Sequence, residues 1–242
     1  MTPPFIDVLT EVAAKRDEIG ASKSGAYYRG HTHSAYELIP TLLRKCLKGE
    51  TEHNLYHECY ARIPNQMSTV KSSWESLATL QHYGVPTRLL DWTESFATAL
   101  YFSLQEESAS PCIFLINAFR HNRSVKASKK PRILLPGLDE FPDYLEHFVD
   151  FESRKEWPYR RPVFIQLPWT SERIKAQNGF FTVHGDEVPL EESSKKYIRK
   201  IMIPDEALEG AWKFLEMSGT SDESMFPDMV GFSNFIRKRY SI

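Results

Sequence analysis

The 242-residue chain is 41% hydrophobic and 13% aromatic, enough to pack a core and too much for disorder as the default state. Its 30 basic and 32 acidic residues leave a formal charge of −2, which excludes a strongly basic domain while allowing a local basic patch. Three widely spaced cysteines without a CxxC, no apolar run of about 18 residues and no signal-like start predict a cytoplasmic protein without membrane contact or a disulfide scaffold.

Phe5, Val8, Val12 and Ile19 fall on one side of a predicted helix over 5–19. Ala26-Tyr27-Tyr28 reads as a strand ending in a turn at Arg29-Gly30. A helical pattern then runs from Leu38 to about Met67, with Leu42, Leu43, Cys46 and Leu47 as its stripe. Ser72 and Glu75 have capping-box spacing, so a helix starts there and stops near Gly84 and Pro86. Residues 87–92 are extended, and Thr93 reads as the N-cap of a helix over 95–104. Strands are predicted at 112–119, 163–167, 180–184 and 197–203. Pro204-Asp205 opens an amphipathic helix through Leu208, Trp212 and Leu215, closed by Gly219. A last helix follows Phe226-Pro227 and ends in Arg237, Lys238 and Arg239, cations that suit a helix C-terminus. Early helices and later strands predict one α+β domain, a helix-rich N-terminal half packed on a mixed sheet. Residues 1–25 would form the N-terminal helix and 26–242 a single globular unit.

Segment 120–132 carries six cations and no acid, and 139–152 six acids, among them Glu152, and no cation. These are solvated faces or a mobile loop on one reading, and a phosphate-binding groove rim on the other. The densest chemistry lies in Leu80-Gln81-His82-Tyr83-Gly84-Val85-Pro86-Thr87-Arg88-Leu89-Leu90-Asp91-Trp92-Thr93. Asp91, between Leu90 and Trp92, is expected to be buried and therefore paired, with Arg88 or Arg29. Such a pair holds a turn or orients a site. Arg29 beside Gly30 can present its planar fork to a phosphate or carboxylate while the backbone approaches closely. His53 and His57 stand at i,i+4, and His31 and His33 are close, but neither pair has a third ligand at diagnostic spacing, so no metal is expected. There is no nucleophile elbow, P-loop or G-x-G-x-x-G.

Tyr28-Arg29-Gly30, Glu37-Leu38-Ile39-Pro40 with Leu43-Arg44, and the 80–93 string together resemble the FRG-domain family, named for its Phe-Arg-Gly motif. Tyr28 stands where the name has Phe. Segments 176–184 and 226–228 resemble the family's downstream pattern, so the likeness spans 26–235. The family's bacterial and phage-related members imply a toxin–antitoxin or phage-defence role, with a cognate antitoxin as partner. More distantly, the chain is similar to ADP-ribosyltransferases, which implies an ADP-ribosyltransferase-like fold. Their first core strand carries an aromatic-Arg-Gly whose arginine grips NAD, and a hydroxyl or aromatic residue follows on a second strand, before a helix and a long core strand. A late glutamate near a strand start stabilises the ribosyl cation.

That likeness implies NAD as substrate and a macromolecular acceptor, nucleic acid or protein. Arg29, Tyr83, Thr87, Arg88 and Trp92 would bind the dinucleotide, with His82, Asp91 and Gln177 catalytic. Gln177 falls at the glutamate position, with Glu187 next; Asp91 supplies the carboxylate if Gln177 does not. A non-catalytic nucleotide- or nucleic-acid-binding module and a nuclease are the alternatives.

Overall fold

In the computed structural model, which describes residues 2–68, 72–106, 110–127, 129–130, 132–150, 154–169 and 171–240, six strands form one sheet. They are β1 (Ala26–His31), β2 (Leu89–Thr93), β3 (Cys112–Asn117), β4 (Val163–Ile165), β5 (Gly179–Val183) and β6 (Ile198–Met202). The first half contributes helices α1 (Pro3–Glu18), α2 (Thr41–Arg44), α3 (Glu50–Arg62), α4 (Pro64–Ser68), α5 (Ser73–His82) and α6 (Phe96–Ser103). The second adds α7 (Ala118–Ser124), α8 (Glu172–Ala176), α9 (Leu190–Ser193), α10 (Asp205–Met217), α11 (Asp222–Met225) and α12 (Met229–Tyr240). The α+β class expected from the sequence holds.

The strand order is β4-β5-β2-β1-β3-β6, and each pairing between these strands is antiparallel. The sheet is therefore antiparallel rather than mixed, with parallel pairing confined to isolated bridges such as Leu134–Ile165. The reason is topological. β2 and β3 run parallel, as a strand–helix–strand crossover through α6 demands, but β1 lies between them and pairs antiparallel with both.

Alternation along the strands builds two faces. Tyr28, Ile113, Leu115 and Ile201 meet Phe5, Val8 and Val12 of α1, Ala99 and Leu100 of α6, and Ala207 and Ala211 of α10. Tyr27, Leu90, Trp92, Phe114, Ile116 and Phe180 form a second cluster. β3 is buried on both faces, which accounts for its uninterrupted apolar run. A third cluster packs α3, α5 and the π-helical turn Leu145–Val149 against β4 and β5.

Several boundaries differ from expectation. β1 runs through Arg29-Gly30 to His31 instead of turning there. The long helix over 38–67 breaks into three pieces, because Cys46 and Gly49 take positive φ (54° and 80°) and Pro64 starts a new helix. Ser95, not Thr93, caps α6, accepting from the Thr98 amide at 3.2 Å; Thr93 Oγ1 instead accepts from the Ser95 amide. Trp212, counted in the apolar stripe of α10, is 47% exposed.

Gly30 owes its identity to packing. A Cβ there would lie 1.9 Å from the Ala99 carbonyl oxygen and 2.7 Å from the Ser103 amide nitrogen, so only a glycine lets β1 cross α6 this closely. Gly30→Ala is expected to cost at least about 1–3 kcal/mol in overpacking, read as a lowered melting temperature. An unchanged melt would contradict this packing.

Three histidines are buried in the neutral form. His121, His184 and His31 have their pKa values lowered to about 4, 3 and 3, in each case chiefly by burial. His121 Nε2–H donates to the Pro162 carbonyl and Nδ1 accepts from Ser194 Oγ. On unfolding they regain an ordinary value near 6.5, so the unfolded chain takes up protons first as pH falls. Their contribution is complete above about pH 6.5 and is lost down to pH 3–4, at about 2 kcal/mol per histidine between pH 7 and 5. Urea unfolding should therefore show a markedly lower midpoint at pH 5 than at pH 7; equal midpoints would count against it.

Candidate functional site

β1 pairs with β3 along its whole length, from Ala26↔Asn117 to His31↔Cys112, but with β2 only at Tyr28↔Thr93. Beyond that pair the two strands part. The gap opens into a cleft of about 380 Å³, lined from β1, β2, α5, α6 and the α8–β5 segment. This volume falls within the range of small-molecule pockets.

Arg29 bridges the opening. Its Nη1 donates to the Asp91 carbonyl at 2.8 Å and lies 3.7 Å from the Asp91 carboxylate, while Nε donates to His31 Nε2 at 2.9 Å. His31 can accept only through a bare Nε2, which places its proton on Nδ1, facing the Tyr36 carbonyl at 3.2 Å. The neighbouring guanidinium adds to burial in lowering the His31 pKa.

Asp91 is not buried. Leu90 and Trp92 point into the core, whereas the Asp91 side chain on the other face is 54% exposed, in the cleft. Of the two pairings expected for it, the one with Arg29 forms. Gln81 Nε2–H donates to Asp91 Oδ2 at 2.8 Å. Thr87 Oγ1–H in turn donates to Gln81 Oε1 at 2.5 Å, which orients the amide, and accepts from the Leu89 amide. Gln81 stood in the dense string, yet nothing in its spacing marked it as the residue that would hold Asp91.

His82, the last residue of α5, also lines the cleft, with Nδ1 3.4 Å from Ser171 Oγ. Burial and then Arg173 lower its pKa, against an opposing pull from Asp228, so the imidazole is neutral near pH 7. Gln177 caps α8 and lines the cleft, but its amide donates to the Met225 carbonyl at 3.0 Å. Thr93 Oγ1–H donates to the Gln177 carbonyl at 2.7 Å, tying β2 to the start of β5.

The remaining sequence candidates stand apart. Arg88 is fully buried in an ion pair with Glu52, which consumes its fork. Thr87 is buried and acts through Gln81. Trp92 borders the cleft, but its indole lies in the core and donates to Thr182 Oγ1, so no face is free to stack on a ligand. Tyr83 is 67% exposed outside the cleft lining. Glu187 is paired with Lys48 at the surface, which lowers its pKa, and does not line the cleft. No described residue of either charged segment lines it: Arg132 pairs with Asp139, and Glu152 lies outside the described residues.

Two cations the sequence reading did not assign complete the lining. Arg44 at the end of α2 and Arg173 in α8 join Arg29, against the single carboxylate Asp91 among the described lining residues. Arg173 lies over the Phe226 ring at 4.6 Å and donates to the His82 carbonyl. A cleft with three guanidinium groups and one carboxylate attracts anions, and its forks fit phosphate oxygens.

Residues 24–111 match the family model of the FRG domain. The matched segment is little more than a third of the chain. It holds Arg29, Arg44, Gln81, His82 and Asp91, while Arg173 and Gln177 lie beyond the matched part of the chain. The matched segment therefore supplies β1, β2, α2, α5 and α6 to the cleft, and residues 173–181 complete its wall. No curated protein and no solved structure matches the chain. No helix among the described residues is long and apolar enough to cross a membrane.

Proposed function

We propose that the cleft binds NAD through its phosphates and that the chain transfers ADP-ribose to a macromolecular acceptor in the cytoplasm. One observation carries this reading. Arg29 on β1, Thr93 on β2 and Gln177 just ahead of β5 come from distant parts of the chain and line one cleft where β1 and β2 part. Arg29 and Gln177 are positions that the ADP-ribosyltransferase resemblance singles out, and Thr93 puts a hydroxyl on the second strand. Three arginines suit the two phosphates of a dinucleotide.

Bound NAD supplies a ribose whose bond to nicotinamide breaks, the electron pair leaving with neutral nicotinamide, while a lone pair of the acceptor forms the new bond. Arg29 and its cationic neighbours clamp the phosphates, which fixes the ribose for attack. Asp91, steadied by Gln81, places negative charge where positive charge grows in the transition state. His82, neutral and within the cleft, takes the proton that the acceptor loses. Such an activity suits a toxin or phage-defence effector restrained by a cognate antitoxin.

The Gln177 amide, spent on Met225 and uncharged, favours a second reading: a nucleotide-binding module without turnover. The test is to incubate the protein with labelled NAD and cell extract, isolate protein and nucleic acid separately, and measure nicotinamide release. Asp91→Asn should cut release roughly a hundredfold, with a much smaller change in calorimetric NAD affinity. His82→Ala should behave similarly. NAD binding without release supports the module; neither binding nor release sinks both.

A further inference from the structure

Large aromatic side chains stand exposed in the cleft lining or next to residues that line it. Tyr36 lines it and is 47% exposed. Tyr83, 67% exposed, follows the lining residue His82, their ring centroids 4.8 Å apart. Trp169, 39% exposed, donates its indole N–H at 3.1 Å to the carbonyl of Gly179, another lining residue. None of the three belongs to a core cluster. A lone exposed ring needs no explanation, but one that lines an arginine-bearing cleft, with two more next to other lining residues, does.

The charge is local as well. The chain as a whole carries −2, so the excess of Arg44 and Arg173 in this cleft is not a general property of its surface. Exposed rings near a cation-lined cleft suit an unpaired strand: bases stack on rings and phosphates follow cations. A duplex hides its base faces within its own stack. We infer that this rim binds single-stranded nucleic acid, and that an unpaired strand is the acceptor for the cleft. The second half rests on the NAD reading; the first does not.

The experiment measures fluorescence anisotropy of end-labelled oligonucleotides, single-stranded and duplex of the same sequence, with the purified full chain and no NAD. Single strands should bind at least about tenfold more tightly than duplex, with affinity falling as salt rises. Combining Tyr36→Ala, Tyr83→Ala and Trp169→Ala should cost a further factor of at least about ten. Combining Tyr36→Phe, Tyr83→Phe and Trp169→Phe should retain most of the affinity, since stacking uses the ring face and not the hydroxyl. Melting curves on both triple variants confirm that the fold is kept.

Equal affinity for duplex and single strand overturns the inference, as does a triple alanine variant that binds like the parent. Nicotinamide release with label on protein alone, and no strand binding, overturns it while leaving the NAD reading intact. Ring-dependent strand binding without nicotinamide release supports the rim as a binding site and removes the transferase.

Discussion

Arg29→Ala is expected to lower NAD turnover, expressed as kcat/KM for nicotinamide release, roughly a thousandfold, with the melting temperature little changed. The guanidinium does three things at once: it bonds the Asp91 carbonyl, stands near the Asp91 carboxylate and donates to His31 Nε2. Its removal takes a phosphate ligand from the cleft and leaves the β1–β2 opening without its bridge. Arg29→Lys should restore little. A single ammonium cannot span His31 and Asp91 while offering a planar fork to a phosphate. Nicotinamide release by Arg29→Ala within a few-fold of the parent would remove Arg29 from the clamp, and with it the main support for NAD as ligand.

Why Arg29 was legible in the sequence and other residues were not follows from the kind of signal each leaves. The Arg-Gly pair and the string around Asp91 concentrate polar groups in otherwise apolar strands, and the cleft draws on both. Gly30, however, answers to the backbone of α6 and not to a ligand, a distinction that depends on a contact with Ala99 nearly seventy residues away. Asp91 was expected to be buried because its neighbours are; strand alternation turns it the other way, into the cleft. Arg44 stood in the family motif without a role and Arg173 left no local mark, because what qualifies both is convergence across the fold, and convergence is set by strand order. The helix–strand succession made α+β readable, but the insertion of β1 between β2 and β3 was not. That insertion is what makes the sheet antiparallel.

The stability experiment with the largest expected effect concerns the residue that sequence reasoning placed in the site and the fold places in the core. Arg88 meets Glu52 through two bonds of 2.7 Å, Nε to Oε1 and Nη2 to Oε2, with both side chains almost completely buried. Its Nη1 donates to the His184 and Gly185 carbonyls, and its guanidinium carbon lies 4.1 Å from the centre of the Phe148 ring. Tyr144 completes the arrangement by donating to Glu52 Oε1 at 2.6 Å, and burial, with the adjacent Glu52 charge, pushes the pKa of the Tyr144 phenol well up. The group thus ties α3, the start of β2, the π-helical turn and the segment after β5 together, and so sets where β2 presents Asp91. Glu52→Ala leaves a guanidinium buried without its counter-charge, a loss of about 3–5 kcal/mol. For a chain of this size that corresponds to a melting temperature lower by roughly 6–20 °C. The double variant Glu52→Leu/Arg88→Met removes both charges and should recover most of that loss, because the penalty comes from the unpaired charge and not from the absence of the pair. A Glu52→Ala protein that melts like the parent would contradict the pairing. A double variant that melts normally yet has lost NAD binding would return Arg88 to the ligand-binding role its neighbours in the sequence suggested.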